Sequence, residues 1–313
     1  MKKILVTGGA GNVAGSLVKR LVQNPDYFVV VVDNLLTGSK DKLPSSKYTN
    51  WQFIKADVNK FEDIAPIFAK FNFDYVFHYA AVVGVLRTLE NPMWVFDDIK
   101  GFENVFGLCK NTGVKRVFYS SSSEVYGEPV EFPQHEVTTP LNARLPYSIV
   151  KNLGESMLKA YYQDYGQSYT IFRFFNTYGP MQSEDFVLPK FIEAALKNKP
   201  ITIYGKGDQT RTFCYIEDNL DTTLKVLEDN LMINDVLNIG HDTEITILEL
   251  AQLVIELTDS KSELKFLPPL KEGDMSRRCP DNTKMKNILG RDLTSLEYGI
   301  KKLISFKEKT ILV

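Results

Sequence analysis

Residues 3–15 read Lys3-Ile4-Leu5-Val6-Thr7-Gly8-Gly9-Ala10-Gly11-Asn12-Val13-Ala14-Gly15, and the order of residue types in this stretch decides the fold. A short apolar run at 4–6 ends in a glycine cluster. The cluster opens a segment that carries Val13, Leu17, Val18 and Leu21 at helical spacing. The pattern is a strand, a tight turn and a helix. Gly8 permits the turn, and Gly11 lets the backbone approach a pyrophosphate seated on the helix N-terminus, with Asn12 and Val13 following in the same cradle. The next apolar run, 28–32, ends in Asp33-Asn34. An acid at the tip of the second strand, about 20 residues on, hydrogen-bonds the ribose hydroxyls of an adenosine and repels a 2′-phosphate. No arginine follows it closely, so the cofactor read from these residues is NAD rather than NADP.

A second constellation lies in Pro146-Tyr147-Ser148-Ile149-Val150-Lys151. Proline suits the first position of a helix, so Tyr147 and Lys151, four apart, share one helix face. An ammonium beside a phenol favours the phenolate, which makes the tyrosine a usable proton carrier near neutral pH. The pair gains specificity from the polar strand end before it, Val117-Phe118-Tyr119 running into Ser120-Ser121-Ser122-Ser123-Glu124-Val125-Tyr126-Gly127.

The 313 residues, 44% of them hydrophobic, suffice for one large domain or two lobes sharing a sheet. A net charge of −2 gives no general attraction to nucleic acid or anionic membrane. Cys109, Cys214 and Cys279 lie far apart without a CxxC pattern, which reads as reduced thiols in a cytoplasmic protein with no metal site. Met1-Lys2-Lys3 imitates the start of an export signal, but the apolar run stops at Val6 and enters the glycine turn. No stretch reaches the roughly 18 apolar residues that a membrane span needs.

Strand-like runs at 4–6, 28–32, 51–56, 75–79, 116–119 and 169–174 alternate with helical patterns at 61–68, 94–108 and 148–165. This alternation predicts an α/β fold with a doubly wound parallel (Rossmann) sheet. Past residue 176 the elements shorten, which predicts a smaller C-terminal substrate lobe interleaved with the first domain. The expected division is 1–176 for the NAD-binding domain, with 213–240 returning to it, and 177–212 with 241–313 for the lobe.

Several further motifs join these: Asp57-Val58, His78-Tyr79-Ala80-Ala81, Arg173-Phe174-Phe175-Asn176-Thr177-Tyr178-Gly179-Pro180 and Arg211-Thr212-Phe213-Cys214-Tyr215-Ile216-Glu217-Asp218. Together with the glycine turn, the serine run and the Tyr147/Lys151 pair, they span nearly the whole chain. The sequence resembles an extended short-chain dehydrogenase/reductase of the branch that modifies nucleoside-diphosphate sugars. The resemblance implies Tyr147 as general base, Lys151 as the tuner of the phenol and holder of the nicotinamide ribose, and Ser122 as hydrogen-bond partner of the reacting hydroxyl, with Glu124 beside them. It adds Asp57, Val58, Tyr79, Ala80, Ala81, Asp98 and Ser120 to the cofactor site. For Asp57 a turn-forming acid after a strand is an equal reading, and His78 is read as a satisfied core residue. The substrate contacts implied are Arg87, Ser122, Ser123, Asn176, Val187, Lys190, Thr202, Tyr204, Arg211 and one of Arg277 and Arg278, with Arg211 and that last arginine facing the diphosphate. A homodimer through helices at about 94–110 and 147–165 is also implied.

The chain departs from the resembled pattern at four places. Ala14 replaces the third glycine, with Gly15 beside it. Asp98 stands where relatives carry an asparagine. Met181 follows Gly179-Pro180 where decarboxylases place an arginine, and Ser123-Glu124 replaces the Asp-Glu pair of 4,6-dehydratases. The expected reaction is oxidation of a sugar 4-hydroxyl by tightly held NAD, with a 4-epimerase as the first reading. A 4-dehydrogenase releasing the keto sugar, for example a GDP-linked sugar in capsule biosynthesis, comes second. A uronate decarboxylase, a 4,6-dehydratase and a non-catalytic NAD-binding protein are further alternatives.

Overall fold

The computed structural model describes residues 1–269 and 277–311. The chain begins with β1 (Lys2–Thr7), α1 (Asn12–Leu21), β2 (Tyr27–Asp33), β3 (Trp51–Lys55), α2 (Phe61–Phe71) and β4 (Tyr75–His78). It continues through α3 (Val85–Glu90), α4 (Pro92–Thr112), β5 (Arg116–Ser122), α5 (Pro146–Tyr165), β6 (Tyr169–Phe174), β7 (Thr177–Tyr178), α6 (Val187–Leu196) and β8 (Ile201–Tyr204). Next come β9 (Thr210–Thr212), β10 (Cys214–Tyr215), α7 (Ile216–Glu228), β11 (Asp235–Ile239), β12 (Glu244–Thr246) and α8 (Ile247–Leu257). The last elements are β13 (Leu264–Leu267), α9 (Thr283–Leu289) and α10 (Leu296–Ile311).

The main sheet has seven strands in the order β11-β6-β5-β4-β1-β2-β3, and the registers from β3 through β6 are parallel. This is the doubly wound α/β fold. Strand order reverses between β1 and β4, and ligands of such sheets bind outside the carboxyl ends of the strands at that reversal. Val29, Val30, Val31 and Val32 of β2 are fully buried, as a strand covered on both faces requires. Phe77 stacks on Phe118 at 4.3 Å, and Phe118 on Phe172 at 6.0 Å, across β4, β5 and β6. Helix α4 starts at Pro92, earlier than its apolar spacing suggests, because proline takes the first helical position.

The chain divides into two compact units. The first comprises residues 1–125, 143–174 and 223–237, and the second 126–142, 175–222 and 238–313. In the second unit three two-stranded pairs form, β7 with β10, β8 with β13 and β9 with β12. Segment 126–142, expected with the first domain, is fastened in the second unit. The Tyr126 hydroxyl donates to Asn238 Oδ1 at 2.8 Å, and the Asn238 N–H donates to Glu136 at 2.9 Å.

Helix α5 sits against β5 at close range. A Cβ on Gly154 would lie 2.6 Å from Cζ of Tyr119, so no larger residue fits there. Its register is locked by a buried network. Arg173 on β6 donates to Glu155 through Nε at 2.9 Å and Nη2 at 2.7 Å, and Ser121 of β5 donates to Glu155 at 2.5 Å. Arg173 and Glu155 are 1% and 0% exposed. Removing one partner of such a pair leaves an uncompensated charge in the core, so Glu155→Ala should cost about 3–5 kcal/mol in urea unfolding. Replacing both partners by apolar residues of similar size should cost far less. A Glu155→Ala loss under about 1 kcal/mol, the scale of an exposed pair, would show that the network is idle.

Candidate active site and cofactor cradle

The glycine turn joins β1 to α1 as the sequence predicts. Gly8 has φ +67°, and a Cβ there would sit 2.7 Å from the backbone N and Cα of Ala80. The turn therefore rests directly on the exit of β4. Helix α1 begins at Asn12, and its N-cap, Gly11, offers no side chain. The first N–H groups of the helix have no intrahelical partner and favour an anion. Among the described residues, buried Asn12 Oδ1 has no hydrogen-bond partner. An uncapped helix start, a turn with no room for side chains and an orphaned polar atom fit a dinucleotide pyrophosphate.

Asp33 closes β2 with its carboxylate fixed in place. Oδ2 accepts from Ala10 N–H at 3.0 Å and Oδ1 from Leu35 N–H at 2.7 Å, leaving each oxygen a further lone pair for a ribose hydroxyl. Asn34 is exposed and uses its side chain on Leu36 N–H at 2.9 Å. Asp57 makes the turn-forming contact, accepting from Asn59 N–H at 3.0 Å. Val58 beside it is buried.

The exit of β4 is organised by Thr7, a residue that sequence reasoning passed over. Its hydroxyl accepts from the N–H groups of Tyr79 and Ala80 at 3.2 Å each and meets His78 Nδ1 at 2.9 Å. Burial, assisted by the nearby Lys151 ammonium, drives His78 down to about 3, so it stays neutral and transfers no proton at ordinary pH. Thr7 could have been noticed as the polar residue ending an apolar strand directly before Gly8. Tyr79 packs edge-on to Phe77 and Phe174. Ala81 is half-buried, and Asp98 on α4 accepts from Val82 N–H at 3.0 Å.

The catalytic candidates lie on β5 and α5. Lys151 is 3% exposed and donates to the Ser120 carbonyl at 2.7 Å. Its Nζ is 5.8 Å from the centre of the Tyr147 ring and 5.2 Å from that of Tyr119. Burial pulls the ammonium down to about 8, against the upward pull of Asp98. Ser122, two residues beyond Ser120 at the end of β5, accepts from Glu124 N–H at 3.2 Å. Ser123, buried, and Glu124, half-buried, begin the single turn Ser123–Tyr126. Arg87 of the same unit turns back on its own loop, donating to Val83 O at 2.8 Å.

The second unit holds the other expected contacts. Asn176, at φ +37°, donates to Thr212 O at 2.9 Å. Buried Arg211 donates to Thr210 O at 2.7 Å. Thr202 and Tyr204 share one face of β8 by strand alternation, and Lys190 of α6 lies 5.9 Å from the Tyr204 ring centre, one turn after Val187. Arg277 is already engaged: it forks onto Glu244 at 2.7 and 2.5 Å and stacks on Phe132 at 4.1 Å. Arg278 is buried. No cluster of metal-ligating residues occurs among the described residues, and none of their helices is long and apolar enough to cross a membrane.

Residues 4–240 match the NAD dependent epimerase/dehydratase family, and the chain belongs to it. UDP-glucuronic acid decarboxylase 6 of Arabidopsis thaliana is 34% identical over 296 residues, 92% of this chain and 83% of the relative. UDP-glucuronic acid decarboxylase 1 of Danio rerio is 34% identical over 97% of this chain and 72% of its own length. Among solved structures, UDP-glucose 4-epimerase of Thermotoga maritima with UDP-glucose is 34% identical, covers 99% of each chain and has a TM-score of 0.92. The UDP-glucose 4-epimerase of Thermus thermophilus in complex with NAD is 28% identical, with a TM-score of 0.89 over 97% of this chain and 99% of that one. The chain is an NAD-dependent enzyme of this family.

Asp33→Ala removes both the charge and the acceptor oxygens at the tip of β2. Charge-assisted hydrogen bonds contribute about 1.5–3 kcal/mol each, so NAD binding should weaken by about tenfold or more. The preference over NADP, measured by calorimetric titration of both cofactors, should narrow. An unchanged ratio would remove Asp33 from the ribose site.

Proposed function

We propose that the enzyme oxidises the 4-hydroxyl of a nucleoside-diphosphate sugar and acts as a sugar-nucleotide 4-epimerase. The carrying observation is a site with the residues for one proton transfer and no paired acids: Ser122, Tyr147 and Lys151 are present, while Ser123 stands before Glu124. In this reading Ser122 orients the hydroxyl and Tyr147 takes its proton, with Lys151 stabilising the phenolate. NAD, when bound, supplies the hydride acceptor. An epimerase asks for no further acid or base, because Tyr147 returns the proton once the keto sugar has turned over and been reduced. The residues proposed as substrate contacts are Arg87, Ser122, Ser123, Asn176, Val187, Lys190, Thr202, Tyr204, Arg211 and one of Arg277 and Arg278.

A uronate decarboxylase is the second reading. The decarboxylase relatives and the Ser122-Ser123-Glu124 run support it, while Met181 in place of an arginine speaks against it. Incubating the protein with UDP-, GDP- and dTDP-sugars separates the readings. A C4 epimer supports the proposal. Carbon dioxide release from UDP-glucuronate identifies the decarboxylase, and an accumulating ketone identifies a 4-dehydrogenase. On a turned-over substrate, Tyr147→Phe should lose about 10²–10⁴-fold in rate while keeping its NAD, the loss expected for a general base. Ser122→Ala should lose less, and near-normal turnover by Tyr147→Phe would sink the assignment.

We further propose a homodimer through α4 and α5. Both helices leave large apolar side chains outside the core, with Met93 at 71%, Trp94 at 45%, Ile149 at 44% and Tyr165 at 59% exposure. Two adjacent helices from each copy would bury these faces in a two-fold four-helix contact. Sedimentation should give a dimer at micromolar concentration, shifted toward monomer by Trp94→Glu. A wild-type monomer would exclude the contact.

A further inference from the structure

The first unit buries six charged side chains among its described residues: Asp33, Asp98, Arg116, Lys151, Glu155 and Arg173. Glu155 and Arg173 neutralise each other. Asp33 is held by two N–H groups. Arg116 lies against Asn230 and donates to the Leu231 carbonyl at 2.7 Å. Asp98 and Lys151 remain. Each is more than nine-tenths buried, and among the described residues each has one hydrogen bond, to a backbone group: Val82 N–H for Asp98 and Ser120 O for Lys151. A single backbone dipole does not compensate a buried charge. The helices that carry them, α4 and α5, pack side by side. Their tethers lie just beyond the end of β4 and near the end of β5, which are neighbouring strands.

We propose that Asp98 is a positioning residue for the Tyr147/Lys151 couple: its buried carboxylate keeps Lys151 an ammonium without seizing it. Among the described residues no ion pair joins the two: the carboxylate accepts from Val82 N–H and the ammonium donates to Ser120 O. Charge is supplied across the helix pair while the remaining N–H groups of Lys151 stay available to the Tyr147 side. An asparagine at this position would bond Val82 equally well but carry no charge. The charge is therefore what the acid adds.

Several groups act on the pair. Burial pushes the Asp98 carboxyl up to about 6, with Asp97 and Asp57 adding to the rise and Lys151 and the Val82 N–H opposing it. On Lys151 burial acts downward and Asp98 upward. From β5, Tyr119 faces both groups, and its hydroxyl is pushed up by burial and by its acidic neighbours, so it stays neutral. His78 on β4 is neutral as well. The sign follows. Removing the Asp98 charge lowers the Lys151 midpoint, so the ammonium is lost at a lower pH.

The inference rests on Lys151 serving as the ammonium of the proposed reaction, and the test separates the two. In protein carrying [13Cε]lysine, with the Lys151 resonance identified by its absence from Lys151→Arg, the wild-type midpoint should fall near 8. In Asp98→Asn it should drop by about one pH unit, the lower end of the effect of a nearby opposite charge. A midpoint unmoved in folded Asp98→Asn overturns the proposal. Should that variant not fold, the wild-type curve decides. A second inflection of the Lys151 signal near pH 6, where Asp98 titrates, supports the coupling, and a single-step curve overturns it. The alkaline limb of kcat/KM should fall in parallel. A lowered midpoint with an unmoved limb leaves the Asp98/Lys151 coupling standing and removes Lys151 from the proposed mechanism.

Discussion

The ammonium of Lys151 is 3% exposed and held by one hydrogen bond to the Ser120 carbonyl, so the surrounding structure must supply what water no longer does. That bond needs α5 to lie close on β5, and the closeness needs Gly154, where a side chain would enter the Tyr119 ring. It also needs the helix to sit in one register. Tyr147, Lys151 and Glu155 follow at intervals of four along a single helix face. Glu155 is pinned by Arg173 of β6 and Ser121 of β5, and pinning it sets the other two. The structural network and the proposed chemical pair are one row of side chains, fixed at Glu155 and carrying Tyr147 at its other end.

The same economy holds at the strand reversal. The glycine turn leaves no room for side chains on the face it turns toward Ala80, so a neighbouring residue has to hold that loop. Thr7 does so, taking the N–H groups of Tyr79 and Ala80 and ordering a neutral His78 beneath them. Asp33 fixes the other side of the turn through Ala10. The turn and the strand exit are thus held by contacts within the protein itself.

The parts of this architecture that repeat locally were readable from sequence. Strand–turn–helix at 4–21, the valine run of β2 and the Tyr147/Lys151 spacing each declare themselves within a few residues, because period and turn chemistry are local. The parts that were not readable depend on distant pairing. Glu155 looks like any charge on a helix until Arg173 is found across the sheet, and Thr7 looks like a strand end until β4 arrives beside it. Segment 126–142 follows β5 in the chain, yet it is held by Asn238, more than a hundred residues away. Asp98 stood out only as an unexpected acid. Its significance comes from sharing a helix pair with a buried lysine.

Identity to a decarboxylase and to an epimerase is 34% in both cases, so overall similarity does not choose between the two readings. A fold of this kind specifies where cofactor and hydroxyl meet, and many chemistries can follow from there. After oxidation the fate of the keto sugar depends on a few side chains: whether an acid can protonate a leaving group, whether a cation favours loss of a carboxylate, or whether neither is present. Ser123 and Met181 occupy two of those positions with an uncharged hydroxyl and an apolar side chain. On the proposed reading, a site without such groups that keeps Tyr147 as its proton carrier is left with the reaction that needs least beyond it, returning the hydride to the other face of the sugar.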